Sequence, residues 1–422
     1  MKLLYLSLSP HMGLADPLGY ATHMREVARA LEERGHRVER YIAADGGLQG
    51  VGDRVPGAAS ARRPPRDIPA TGWRQPVARA VAPARHLARD LRELWQDHQA
   101  RAKLGRILDR HAFAAVYERS AFMQVAGLEL AAARGLPHLL EVNAPIEERR
   151  DHHGFPLYRL GVARERRKLA LADHVVCVTG PLRRYLIERG ADPARVTVIP
   201  NGVRPEPFRI GEGERAALRA QLGVGAGQVA VGFVGRFGFW RGMVPLVEAA
   251  ARVTAARPDV HFVLIGGGQM FERVEAEIEA RGLGARITLT GVLDPAEVPK
   301  HVAALDLGVL AGSPWYSSPI KLFEYGAAGL GIVAPRVEAV AEVLRDGEEG
   351  LLVEPEEPAA IAAAIVRLAA DPDGRRALGE RFRMRVEREF TWAEAAARAE
   401  ALLLASPRRA RLGAASPALG AR

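Results

Sequence analysis

The sequence predicts an α/β protein built as two doubly wound αβα domains that face a cleft. Three observations carry this expectation. The chain has 422 residues, 48% of them hydrophobic, which allows two or three domains with their own cores at roughly 150 residues each. Short apolar runs alternate with amphipathic helical stretches in two successive series, the pattern of parallel sheets joined by crossover helices. Between the series, Pro200-Asn201-Gly202 is a turn signal and Arg204-Pro205-Glu206-Pro207 is stiffened by proline, which puts the boundary near residue 205.

In the first series, Lys2 to Ser9 is an apolar strand and Ser9 to Gly19 a loop rich in Gly, Pro and His. Tyr20 to Arg34 carries Met24, Val27, Ala28 and Leu31 at helical spacing, and Gly35 stands where a left-handed cap ends the helix. Arg37 to Ala43 returns as a second, parallel strand. Gly46 to Arg74 lacks a period and reads as a long surface loop. Pro76 to Arg110 is an Arg-studded helix with Val81, Leu87, Leu91, Leu94 and Trp95 on its apolar side, a pattern that suits a peripheral membrane helix or an ordinary solvated one. Strands follow at Phe113 to Tyr117, His138 to Val142, His174 to Val178 and Val196 to Ile199, with helices around Gln124 to Arg134 and at Tyr158 to Leu171.

The second series is cleaner. Strands are expected at Val229 to Val234, His261 to Ile265, Ile287 to Leu289, Leu307 to Leu310, Gly331 to Val333 and Gly350 to Val353. The resulting domains are residues 1–204, with 46–110 as a variable loop and Arg-rich helix, and residues 205–390. A last amphipathic helix over 391–405 has room to cross back onto the N-terminal domain, and 406–422, without a core-forming period, is expected to be a disordered tail.

Charge narrows the function less than it first suggests. Fifty-nine basic against 50 acidic residues leave +9, and only five of the basic residues are lysine. Nucleic acid, an anionic membrane surface and a phosphorylated small molecule all suit that balance. No Cys/His finger, helix-turn-helix or aromatic RNA-binding signature accompanies the arginines, so nucleic acid is not an expected partner. The single cysteine, Cys177 in Val175-Val176-Cys177-Val178, points to a buried strand position in a reducing compartment. The run Leu3-Leu4-Tyr5-Leu6 is short for a signal peptide, and no stretch approaches the roughly 18 apolar residues of a membrane span. The expected location is cytoplasmic.

Two constellations carry chemistry. Gly235-Arg236 ends the first strand of the second domain and Arg241-Gly242 opens the next helix, so two guanidinium groups can meet at a helix N-terminus. Opposed unit charges 4 Å apart gain about 4 kcal/mol at an effective dielectric near 20, and the helix start adds partial positive charge, which favours a diphosphate. The second is Ser317-Ser318-Pro319-Ile320-Lys321-Leu322-Phe323-Glu324, with Pro319 at or near the first helical position. The N–H groups of Ile320, Lys321 and Leu322 then face any bound phosphate. Glu324, one turn on, can accept from ribose hydroxyls or compensate the helix dipole.

With Gly19 to His23, Gly35-His36-Arg37-Val38, Val198-Ile199-Pro200-Asn201-Gly202-Val203, Ile265-Gly266-Gly267-Gly268, Leu289-Thr290-Gly291-Val292 and Lys321-Leu322-Phe323-Glu324-Tyr325-Gly326, these elements occur in an order and spacing that resembles the retaining GT-B glycosyltransferases of family 4 over nearly the whole chain. The resemblance implies two Rossmann-like domains, a UDP- or GDP-sugar donor held mainly by the second and an acceptor held mainly by the first. It implies that Arg236 and Arg241 neutralise the leaving diphosphate, that Glu324 holds the ribose, and that Gly19 lets the first loop approach the donor. Gly267, Val292, Ser318, Ile320, Lys321 and Leu322 complete the implied donor site, Val292 at the nucleobase edge. No metal and no cofactor beyond the sugar nucleotide is implied.

Two positions depart from the family pattern. A glutamate usual eight residues before the ribose carboxylate is Tyr316 here, and Lys321 is a candidate substitute or a plain helix residue. A histidine usual at the end of the strand Leu140-Glu141-Val142 is Asn143, which can hydrogen-bond a sugar but cannot shuttle a proton near pH 7. In Tyr117-Glu118-Arg119, Glu118 either serves the acceptor or pairs with a neighbouring arginine. The reading is a metal-independent retaining transferase. A GT-B epimerase or phosphorylase and a degenerate nucleotide-sugar-binding subunit stand as alternatives. Acceptor identity and oligomeric state stay open, and residues 74–110 leave room for weak membrane-surface contact.

Overall fold

The computed structural model describes residues 1–9, 19–44, 47–51, 74–145 and 156–409. The first domain comprises β1 (Lys2–Ser7), α1 (Gly19–Glu33), β2 (Arg37–Ala44), β3 (Gly47–Val51), α2 (Arg74–Arg110), β4 (Ala115–Arg119), α3 (Ala126–Ala133), β5 (His138–Val142), α4 (Tyr158–Leu171), β6 (His174–Cys177), α5 (Gly180–Glu188) and β7 (Val196–Val198). Its sheet runs β3-β2-β1-β4-β5-β6-β7, with every neighbour parallel except the antiparallel β2–β3 pair. All five residues of β4 and of β5 are buried, as strands covered by helices on both faces must be. Register sets Ser7 level with Arg119, and Arg119 level with Glu141, which brings polar strand ends together at one edge of the core.

The second domain comprises α6 (Glu212–Gln221), β8 (Val229–Val234), α7 (Met243–Ala256), β9 (Val260–Ile265), α8 (Phe271–Ala280), β10 (Ile287–Gly291), α9 (Val298–Ala303), β11 (Leu307–Val309), α10 (Ile320–Ala327), β12 (Gly331–Pro335), α11 (Glu338–Ala341), β13 (Leu351–Val353), α12 (Pro358–Ala370) and α13 (Pro372–Glu389), followed by α14 (Trp392–Leu404). Its sheet is wholly parallel, in the order β10-β9-β8-β11-β12-β13. The apolar run of β8, Val-Ala-Val-Gly-Phe-Val, is buried throughout. Cys177 closes β6 inside the core, where burial pushes its thiol up to about 12.

Several expectations change. The expected loop from Gly46 to Arg74 contains β3, whose Gly-Leu-Gln-Gly-Val sequence has no clear alternation and gains its strand form by pairing with β2. Residues 52–73 of that loop lie outside the described residues, as does the expected loop over 10–18. The strand expected from Phe113 starts at Ala115 and ends at Arg119. Helix α5 was not expected; Thr179 caps it by accepting from the Leu182 N–H. The expected tail is ordered at its start, where Ser406 is buried and donates to Asp173 at 2.8 Å. Residues 410–422 lie outside the described residues.

Helix α2 turns differently from its expected apolar side. Leu87, Leu91 and Trp95 are 38%, 52% and 62% exposed, while Asp90, Glu93 and Asp97 are buried. The side chain of Val81 lies outside the described residues. Two of these carboxylates find donors in the fold: Asp90 accepts the Leu157 N–H at 3.3 Å, and Asp97 accepts the Val125 and Ala126 N–H groups at 2.9 Å, capping α3, and pairs with Arg164. Those bonds offset the cost of turning acids inward.

The chain crosses between domains twice, and α14 returns to the first. Trp392 is buried in the same cluster as Leu3, Tyr5, Met24 and Leu139. Glu400 pairs with Arg34 at 2.6 Å and with His36 at 3.0 Å. Trp392→Ala is expected to lose about 3–5 kcal/mol of stability to the cavity and the lost apolar contact. A denaturant midpoint unchanged from wild type would show that α14 is not anchored there.

Candidate active site

Both sheets direct their switch points into one cleft of about 1090 Å³. In the first sheet β1 stands between β2 and β4, and in the second β8 stands between β9 and β11. Connections depart to opposite sides at such points and leave a crevice beyond the carboxyl ends of the strands.

On the second-domain wall, β8 ends at Val234, whose N–H donates to the Tyr325 hydroxyl at 3.0 Å. That hydroxyl donates in turn to the Val309 carbonyl at 3.3 Å, so α10 is tied beneath β8 and β11. A Cβ on Gly266, where φ is 130°, would stand 2.1 Å from the Gly235 carbonyl oxygen. Only glycine lets these two strand-end loops touch. Arg236 leaves the strand end, Arg241 precedes the left-handed N-cap Gly242 of α7, and both line the cleft.

Lys321 comes up beneath them from the first turn of α10, with Nζ 4.8 Å from the Phe233 ring centroid. Burial, reinforced by the Arg241 charge, pushes its ammonium well below the usual lysine range. Burial also raises the Glu324 carboxyl to about 7, against the opposing pull of Lys321. Two half-buried arginines and a buried lysine thus share a wall with the Glu324 carboxyl, a combination that attracts an anion and marks functional sites.

On the first-domain wall, Glu141 lies in β5 with its carboxylate buried. Oε2 accepts from Tyr117 at 2.5 Å, and Oε1 accepts from Arg119 at 2.9 Å and from the Asn143 amide. His23 Nε2 lies 2.8 Å from Oε1. Burial alone would raise this carboxyl; His23, Arg119 and the Tyr117 hydroxyl hold it at about 2. Lys168, from α4, is equally buried and donates to Ser120 at 2.8 Å while pairing with Glu165 at 2.6 Å. Among the described residues no group of three His, Cys, Asp or Glu side chains is placed to hold a metal ion, and no helix is long and apolar enough to cross a membrane.

Two family models match the chain: Glycosyltransferase Family 4 over residues 18–207 and Glycosyl transferases group 1 over residues 228–371. Between them they take in both domains and both walls of the cleft. The chain belongs to the family 4, group 1, glycosyltransferases. A D-inositol 3-phosphate glycosyltransferase of Nocardia farcinica is 34% identical over 242 residues, 55% of this chain and 52% of that protein. The chain spans about half the length of the first curated relatives it matches. An alpha-maltose-1-phosphate synthase of Mycolicibacterium smegmatis is 29% identical over 70% of this chain and 80% of its own. The fold is that of GT-B proteins such as Anabaena Alr3699/HepE in complex with UDP, with a TM-score of 0.70 at 18% identity over 96% of this chain and all of that one. Sucrose-phosphate synthase from Thermosynechococcus elongatus gives 0.71 at 20% identity, over 98% and 99% of the two chains.

For this family 4 chain the structure gathers most of the expected site residues and parts with others. Gly19, Asn143, Arg236, Arg241, Gly267, Val292, Ser318, Ile320, Lys321 and Glu324 all line the cleft. A Cβ on Gly19 would stand 3.8 Å from the Ile320 side chain of the opposite domain. Glu118 does not reach the cleft: strand alternation turns it to the other face of the sheet, where it is buried against His138 at 2.9 Å. Leu322 is a core residue, and its N–H donates to the Pro319 carbonyl at 3.0 Å rather than facing the cleft. Pro319 is the N-cap, next to the first helical position as expected. Ser318 lines the cleft, but its hydroxyl is engaged by the Asn201 N–H at 3.1 Å. Tyr316, in place of the usual glutamate, is buried in an apolar cluster of the first domain, and its carbonyl accepts from Thr179 at 3.0 Å.

Glu141 and His23 were not expected as site residues. The readable signal for Glu141 was a carboxylate inside the apolar strand Leu139-Leu140-Glu141-Val142; His23 sits among the buried positions of α1 and shows no such contrast.

The raised Glu324 carboxyl has a consequence for stability. Its ordinary value is 4.5, so the folded state holds this proton more tightly than the unfolded chain and loses stability as pH rises from about 4.5 through about 7. Glu324→Gln removes that loss. Relative to wild type, the unliganded variant is expected to gain about 1–3 kcal/mol between pH 4.5 and pH 8, measured by denaturant unfolding at both values. An unchanged difference would show that the carboxyl titrates normally.

Proposed function

We propose that the chain transfers a glycosyl group from a nucleoside diphosphate sugar, UDP- or GDP-linked, to a hydroxyl acceptor, with retention at the anomeric carbon and without a metal. The observation that carries this is the cationic wall of Arg236, Arg241 and Lys321 at the β8 switch point, with the Glu324 carboxyl beside it. Anabaena Alr3699/HepE, solved with UDP and with UDP-glucose, lends the donor class support through its fold.

In this reading the bond from the anomeric carbon to the phosphate oxygen breaks as Arg236 and Arg241 take up the charge of the departing diphosphate. The acceptor oxygen bonds to the same face of that carbon, and its proton passes to a departing phosphate oxygen. No protein nucleophile or strong base is needed, which suits an amide at Asn143 where a histidine is usual. Asn143 and Arg119 orient the sugar and acceptor hydroxyls from the opposite wall. Glu324 holds the ribose.

Each hydrogen bond to a charged group contributes about 1.5–3 kcal/mol. Arg236→Ala and Arg241→Ala are therefore each expected to weaken UDP or GDP binding about ten- to a hundredfold by calorimetry. Unchanged affinity in both would displace the phosphate site. Tight nucleotide binding without turnover of any nucleotide sugar would favour a binding subunit.

A second partner is proposed for α2. Leu87, Leu91 and Trp95 form an exposed stripe at four-residue spacing, and Arg92, Lys103 and Arg106 are exposed on the same helix. That is the arrangement of a helix lying on an anionic bilayer surface. Cosedimentation with phosphatidylglycerol vesicles but not with phosphatidylcholine vesicles is expected, and Leu91→Glu with Trp95→Glu should abolish it. Equal partitioning of variant and wild type would reject the contact.

A further inference from the structure

One buried polar chain runs between the two walls of the cleft. It starts at Ser318, two residues before α10. The Asn201 N–H donates to the Ser318 hydroxyl at 3.1 Å, and the Asn201 side-chain amide donates to the Ser318 carbonyl at 2.6 Å. That second bond fixes the orientation of the amide, since the reverse one would set two carbonyl oxygens against each other. Asn201 Oδ1 must then face His23, whose Nδ1 lies 2.7 Å away. On the other side of the ring, Nε2 lies 2.8 Å from Glu141 Oε1. The edge of Trp392 packs on the imidazole, with ring centroids 5.2 Å apart. Ser318, Asn201, His23, Glu141 and Arg119 are each at least nine-tenths buried.

Both ring nitrogens of His23 therefore meet oxygen acceptors. A neutral imidazole has one N–H and would set a bare nitrogen against one of them; the doubly protonated ring donates to Asn201 Oδ1 and sets its positive charge against the Glu141 carboxylate, an ion pair at 2.8 Å rather than an aligned hydrogen bond. Glu141, the far end of the chain, also receives Asn143 and Arg119, two of the first-domain groups that line the cleft. We infer that His23 is a positioning residue: an imidazolium clamped between Asn201 and Glu141 that ties the placement of Asn143 and Arg119 to that of α10 in the opposite domain. The inference rests on the transferase reading only for what the positioned groups do. His23 itself touches no substrate in this scheme.

The clamp is tested first by nitrogen NMR on histidine-labelled protein at neutral pH, with the His23 signals assigned by their loss in His23→Gln. Two protonated ring nitrogens are expected, and a single N–H would overturn the clamp whatever the protein catalyses. Turnover of a nucleotide sugar then reads its consequence. In His23→Gln, UDP affinity should stay within about threefold of wild type, while kcat falls about 10- to 100-fold with little change in donor KM, the signature of misplaced groups. Asn201→Asp, which removes the donor to the Ser318 carbonyl at constant volume, should reproduce that split. Asn143→Ala should cost much less in the His23→Gln background than in wild type, because the two act through one chain. Wild-type kcat in His23→Gln, or additive losses, would overturn the coupling. If wild type itself turns over no nucleotide sugar, the transferase reading fails while the NMR result still decides the clamp.

Discussion

The two domains are held by a pair of chain crossings laid side by side. Val203 and Thr391 form a parallel bridge in which the Val203 N–H donates to the Phe390 carbonyl at 3.0 Å and the Trp392 N–H to the Val203 carbonyl at 3.4 Å. The approach is so close that a Cβ on Gly202 would stand 2.6 Å from the Thr391 carbonyl carbon. Everything in the cleft inherits its spacing from this contact. Opening the walls must bend both crossings at one place, which is the geometry of a hinge. Trp392 follows directly, so the second crossing ends in the first domain's core and beneath His23.

The walls manage buried charge in opposite ways. In the first domain each buried ion has a partner: Glu141 has Arg119 and His23, Lys168 has Glu165, and Glu118 has His138. These pairs hold side chains in one geometry more than they add stability, because desolvation consumes much of the Coulomb gain. The second domain gathers Arg236, Arg241 and Lys321 around Glu324; burial lowers the ammonium of Lys321, with the Arg241 charge adding to it, and burial raises the carboxyl of Glu324 against the pull of Lys321. An anion entering the cleft would offset those cations, so the wall gives up stability when empty for affinity when filled.

Much of this was legible in the sequence where short-range rules apply. Buried parallel strands read as apolar runs, so β8 over Val229–Val234 was found to the residue. Arg236 and Arg241 stood out because a strand end followed by a helix start confines both to one crevice. Reading failed where a side chain's direction depends on a neighbour. Glu118 and Arg119 are adjacent, yet alternation sends only Arg119 to the cleft. The apolar spacing of α2 suited a membrane-surface helix or a solvated one and did not show that Asp90 and Asp97 face inward, which they do because α3 and the start of α4 supply donors for them. β3 has almost no intrinsic strand signal and exists through its pairing with β2.

By itself the sequence determined the fold class, the placing of Arg236 and Arg241 beside one strand end and the departures at Tyr316 and Asn143, because each follows from residue type and spacing along one element. Only the tertiary structure decided which carboxylate serves the first wall, that Tyr316 became an apolar bridge between domains, and that Ser318, Asn201, His23 and Glu141 form one chain. Those residues lie as much as 295 positions apart in the sequence, and hydrogen bonds between them exist only once two sheets and a returning helix have brought their ends together. The same holds for the shifted carboxyl of Glu324, whose value comes from burial that no local pattern encodes.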